Sequence, residues 1–227
     1  MGLMVASQVA CAVPLLQLYI EGADYDPVSE TWITDQSSFD IWVIGNTGGG
    51  GSEGPLHDVT LVAAVEGGSL ADLKLTPITT SEVDDPSKPA NPIAANSGVG
   101  NHTILPKHGV YTNGVEWQDF LLGDMDLTDS PLGDATQGGF PLYEAGQSDA
   151  AQINAYHVEM TGSYQSLHFD AYAYYEKFDK RKQQTVKKLT NAPFSHDAAS
   201  IIEISSPQTA LLMLVGMAGL IGWKRRV

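Results

Sequence analysis

An all-β fold, an antiparallel β-sandwich of jelly-roll-like form with long loops and one short apolar helix at its C-terminus, is the class this sequence predicts. Three observations carry that expectation. Short runs of aliphatic, aromatic and β-branched residues recur between turn residues, and no interval holds a sustained 3.6-residue apolar period. The 227 residues include 23 glycines and 12 prolines, a turn-rich composition unlike that of a helical bundle or a disordered chain. At 43% hydrophobic residues, the chain can bury one main core.

The expected strands follow in order. Residues 15–21 and 39–45 are short apolar runs, and 57–65 is a longer one rich in valine and alanine. Residues 73–76 and 115–122 are shorter stretches bounded by polar and turn residues. The clearest alternation lies in 153–160, where Tyr156, Val158 and Met160 share one face and His157 and Glu159 the other. Residues 167–175 repeat it, with Leu167, Phe169, Ala171 and Ala173 inward and His168, Asp170, Tyr172 and Tyr174 outward. Residues 161–165 supply a turn that would pair these last two strands. Between strands, the glycine run 48–54 reads as a flexible loop and the three-proline segment 84–92 as a stiffer one.

Charge placement narrows the function classes. The formal net charge is −15, and residues 13–176 hold only Lys74, Lys88 and Lys107 against 24 acids. Such a surface repels phosphate backbones, so nucleic acid is not an expected partner. Six of the twelve basic residues fall between Lys177 and Lys188, in a run that reads as a solvated loop or strand edge. The single cysteine, Cys11, excludes an intramolecular disulfide and a metal-thiolate cluster.

The two ends differ from the middle. Residues 1–12 resemble the apolar part of a secretory signal, with Ala10-Cys11-Ala12 in the small-residue form cleaved before Val13. Read structurally, residues 9–20 would instead be a first strand. At the other end, the uncharged stretch from Ala210 to Trp223 runs directly into Lys224, Arg225 and Arg226. As a helix its fourteen residues reach only about 21 Å against a bilayer core of about 30 Å, and counting from Pro207 makes a marginal span. The basic cluster would stay cytoplasmic, leaving the rest outside, and Trp223 sits where an interfacial aromatic belongs. The domain plan is therefore a signal remnant at 1–12, an ectodomain at 13–205 and a sorting or anchoring segment at 206–227.

This tail resembles the PEP-CTERM sorting signal of exosortase-processed bacterial proteins: a proline motif, a small-residue apolar helix and a terminal basic cluster. The motif here reads Ser206-Pro207-Gln208-Thr209, without the Glu and second Pro of the usual form. Internal segments resemble choice-of-anchor proteins of the N type, in the runs starting at Pro14, at Phe39, at Phe169 and at Ala192. These resemblances imply a bacterial cell-envelope location, an exosortase as a partner and tethering to, or release from, the membrane. They imply no catalytic residues.

Chemistry-bearing motifs are sparse. Ser195-His196-Asp197 contains the residue types of a hydrolase triad, but neighbours on an extended chain face opposite ways. No Gly-x-Ser-x-Gly elbow, phosphate loop or His-Glu-x-x-His helix occurs. His102 and His108 flank a proline-containing loop. His157 and His168, with Glu159 and Asp170, would approach one another if their strands pair, though they read better as solvent-facing strand residues. Asp124, Asp126 and Asp129, in the densest acidic loop, are the candidate ligands for a structural Ca2+. The loop is no EF-hand, because Asp129 and Ala135 hold its sixth and twelfth positions. Trp32, Trp42, Trp117, Tyr172 and Tyr174, if exposed, would form a sugar-stacking platform.

The expected function is that of a secreted, surface-associated structural or extracellular-matrix protein, not an enzyme, tethered or sorted through its tail and in contact with exopolysaccharide. The alternative is a carbohydrate- or calcium-dependent adhesion module. An envelope hydrolase would require a cleft where a histidine and a nucleophile meet from distant segments.

Overall fold

Alternation of apolar side chains gives each long strand one face to bury, and two such faces closed on each other make the core. The computed structural model describes residues 13–48, 54–78, 91–107, 109–135 and 149–202. The signal-like 1–12, His108, and the tail with Pro207, Trp223, Lys224, Arg225 and Arg226 lie outside the described residues, as does the expected C-terminal helix. No helix among the described residues is long and apolar enough to cross a membrane.

Among the described residues thirteen strands form two sheets: β1 (Leu16–Ile20), β2 (Asp24–Asp26), β3 (Thr31–Thr34), β4 (Ser38–Asn46), β5 (Leu56–Glu66), β6 (Leu73–Ile78), β7 (Ile93–Val99), β8 (Glu116–Met125), β9 (Ser130–Pro131), β10 (Asp149–Met160), β11 (Ser166–Asp179), β12 (Gln184–Asn191) and β13 (Asp197–Ile201). The smaller sheet runs β1-β4-β10-β6, with β9 also on β10. The larger runs β2-β3-β13-β11-β5-β8-β7, with β12 also on β11. All seven expected strands are present, and the fold is all-β. One pairing departs from a purely antiparallel plan: β13 lies parallel to β3.

Leu16, Leu18 and Ile20 of β1 and Ile41 and Val43 of β4 meet Leu61, Ala63 and Val65 of β5 and Leu167, Phe169 and Ala171 of β11 in the core. Phe39 and Phe169 join the sheets edge to face at 6.1 Å. Gly45 leaves room for the facing side chains, since a Cβ there would stand 2.6 Å from the Met125 sulfur and 3.0 Å from Leu56 Cδ1. Gln17, buried on the opposite face of β1, is satisfied by the Gly133 carbonyl and the Ala135 N–H, which draws residues 133–135 over that face.

The expected hairpin at 161–165 is not one. β10 pairs with β4, β6 and β9, while β11 pairs with β5, β12 and β13, so the chain arches from one sheet to the other. Period-2 alternation assigns faces and leaves partners open; two apolar inner faces suit an arch over the core as well as a hairpin. Buried Tyr164 closes that end of the sandwich, its hydroxyl 2.7 Å from Ser200 Oγ. The basic run lies on the β11–β12 hairpin, where Lys187 meets Asp58 at 2.6 Å and covers the Tyr174 ring.

Candidate functional site

The outer face of the larger sheet departs most from the expectation. His168, Asp170 and Tyr172 do point away from the core, yet they are only 8, 2 and 5% exposed. Residues 100–107 and 109–115 lie across them and form a second apolar cluster, with Leu105, Tyr111 and Val115 packed on Val62, Ala64, Trp117 and Tyr172. Trp32 and Trp42 are buried as well, so the sugar-stacking platform expected from these aromatics is not formed.

Polar anchors fasten that segment. His102 Nδ1 accepts the backbone N–H groups of Ile104 and Leu105, so Nε2 carries the proton donated to Asp119 Oδ1 at 2.9 Å. The other Asp119 oxygen accepts from Asn96 at 3.1 Å and from the Tyr172 hydroxyl at 3.2 Å. Tyr111 donates its hydroxyl to Asp170 Oδ2 at 2.5 Å. Burial first, then the Asp170 charge, holds the Tyr111 phenol protonated far above its usual range.

Beside this cover, a cavity of about 530 Å3 opens between residues 109–115 and the turn at 28–31. That turn is shaped by Asp26, whose carboxylate accepts the N–H groups of Val28 and Ser29 and the Ser29 hydroxyl. These bonds, the Ser29 hydroxyl foremost, pull the Asp26 carboxyl below the usual range. Ala64, Ala199, His168 and Asp197 line the cavity, with Glu30 and Glu66 at its acidic margin. Val28, Phe194 and Ile201, all lining it, are exposed.

His168, Asp170 and Asp197 gather where the cover meets the cavity. Asp197 begins β13 beside β11, and His168 and Asp170 are alternate residues on one face of β11. His168 Nε2 lies 3.2 Å from Asp170 Oδ2 and 3.7 Å from Asp197 Oδ2. Burial by itself would discharge the imidazole, but hydrogen bonds and the negative charges of the two aspartates outweigh it, and its pKa is pushed up to about 10. Among the described residues this is the group of three His or carboxylate ligand atoms that converge, all within 4.8 Å of one another.

The residues singled out in the sequence are distributed differently. Asp124, at the end of β8, takes the Asp58 N–H at 2.9 Å and His57 Nδ1 at 3.1 Å. Asp126 is exposed, and Asp129 accepts from Ser130 Oγ. The backbone of this loop is held from below by Gln152, whose carbonyl accepts the N–H groups of Asp126 and Leu127. His157 and His168 stand on different sheets, so they do not approach through strand pairing. The pattern His168-x-Asp170 carries a same-face signal, whereas for Asp197 the sequence offers only the local run Ser195-His196-Asp197.

Two serine relays also form. Residues 194–196 make a 3-10 turn, so Ser195 Oγ does reach His196 Nδ1 at 2.9 Å, and the carboxylate on Nε2 is Asp134, not Asp197. Burial lowers the His196 pKa against the opposing pull of Asp134. On the smaller sheet, Ser38 Oγ lies 3.1 Å from His157 Nε2, and His157 Nδ1 lies 2.6 Å from Asp40 Oδ1, beside a cavity of about 270 Å3. The His157 and Asp40 side chains are 43 and 34% exposed, so water screens the relay. No protein-family model, curated protein or solved structure matches the chain.

Proposed function

We propose that the chain is a non-enzymatic, surface-associated structural or matrix protein of a bacterial envelope. Its jelly-roll-like sandwich would be the ectodomain, and an apolar C-terminal helix would tether it to the membrane or present it to an exosortase. The observation that carries this reading is the apolar stretch ending at Trp223, capped by Lys224, Arg225 and Arg226. Two further features support it: the described strands, the last of which is Asp197–Ile201, build a core of their own, and the chain as a whole is strongly acidic. The test is the intact mass of the mature protein from its native host, in membrane and released fractions. Loss of residues 1–12 and of the segment after about Pro207 is expected; a full-length soluble cytoplasmic species overturns the reading.

A second reading, a binding module, is favoured by the 530 Å3 cavity with its acidic margin and exposed apolar side chains. Filling it through Ala199→Trp should abolish any saturable small-ligand binding seen by ligand-observed NMR. Unchanged binding in a folded variant would place the ligand elsewhere.

A further inference from the structure

We propose that His168, Asp170 and Asp197 form a binding site for a divalent transition-metal ion of the zinc class, with its open coordination position turned toward the cavity. The donor set, once the ion displaces the proton that His168 carries, is one imidazole nitrogen and two carboxylate oxygens, a combination that suits zinc and its neighbours. Calcium is disfavoured, because it takes six to eight oxygen ligands.

Spacing supports the same ion. Metal bonds of about 2.0–2.2 Å in tetrahedral array put neighbouring donors about 3.3–3.6 Å apart. His168 Nε2 stands 3.2 Å from one carboxylate oxygen and 3.7 Å from the other, and all three donors lie within 4.8 Å. Drawing donors that lie within 4.8 Å of one another into that range takes a side-chain adjustment of about an ångström. The donors also sit on neighbouring strands of a paired sheet, which sets their Cα positions before any ion arrives.

Three further features fit a built site. The Tyr111 hydroxyl orients Asp170 as the outer partners of ligating carboxylates do. His168 and Asp197 line the cavity while Asp170 stands behind them, so an ion held by all three has an entry path and room for water or a ligand atom in a further position. The cavity lining includes Glu30 and Glu66 and no lysine or arginine among the described residues, a field that favours cations.

The test is titration of the folded, chelator-stripped full chain with Zn2+ and Co2+. One equivalent should bind, Co2+ should give the strong visible bands of low-coordinate cobalt, and the melting temperature should rise with Zn2+ concentration. His168→Gln and Asp197→Asn should each weaken binding by at least about 100-fold, and Tyr111→Phe by about 10-fold, while His157→Ala leaves it unchanged. If the ligand variants fail to fold, the imidazole 15N resonance of His168 in the wild-type protein provides the same test, since it must shift on Zn2+ binding. Failure of the stripped protein to bind either ion below about 100 μM would overturn the proposal. So would affinity unchanged by His168→Gln, or a His168 resonance that does not move.

Discussion

Replacing Tyr111 with Phe tests whether one buried hydroxyl fastens the cover to the sheet. The ring would keep its place among Leu105, Val115 and Trp117, so the change isolates the bond to Asp170. Both partners are shielded, at 7 and 2% exposure, and the acceptor is a carboxylate. A hydrogen bond to a charged group contributes about 1.5–3 kcal/mol, and its loss here leaves a buried oxygen short of a donor. At about 2–4 °C per kcal/mol for a domain of this size, the melting temperature should fall by about 3–12 °C. The assay is thermal and urea denaturation in chelator, with amide hydrogen exchange followed at residues 109–115, where protection should drop first. A melting temperature within about 1 °C of wild type, with exchange unchanged, would refute the anchoring role.

The raised pKa of His168 makes stability depend on pH. The folded protein holds this proton up to about pH 10, whereas the unfolded chain releases it near 6.5. The contribution is therefore complete below about 6.5 and lost as pH rises through about 10, so melting temperature in chelator should fall over that window more steeply than in His168→Gln; parallel profiles would contradict it. His196, whose pKa is lowered, acts in the opposite sense, contributing stability that is lost as pH falls below neutrality. Phe169→Ala should remove about 3–5 kcal/mol through a cavity at the inter-sheet contact, read as a lower urea midpoint, while Phe178→Ala, at an exposed position, should stay within about 0.5 kcal/mol. The water-exposed Ser38–His157–Asp40 relay should give no Ser38-dependent burst with 4-nitrophenyl acetate; a burst that disappears in Ser38→Ala would overturn the non-enzymatic reading.

Much of the architecture was legible because the inward faces are. The inward set on β11, Leu167, Phe169, Ala171 and Ala173, was readable from alternation alone, and the seven strongest runs are all strands. The strands not anticipated lack that signal. β7 is Ile-Ala-Ala-Asn-Ser-Gly-Val and almost wholly exposed, β12 carries two lysines, and β2 and β9 have three and two residues. β3 and β13 are short runs that pair with each other across more than 160 residues of chain, besides pairing with β2 and β11.

The metal-ligand cluster was half visible. His168 and Asp170 stand together on the face that alternation turns outward, and alternation says nothing about what covers that face. Alternation cannot register a cover: His102, Leu105 and Tyr111, which bury the outer face, lie more than fifty residues from β11 in sequence. By itself, the sequence determined the β class, the inward faces, the acidic surface and the unusual tail, because period, composition and charge are local properties of the chain. Only the tertiary structure decided that β10 and β11 belong to different sheets, that Asp197 joins His168 and Asp170, and that this group meets a cavity. Those outcomes depend on which strands pair and what packs over them, and distant segments settle both when they compete to bury the same surface.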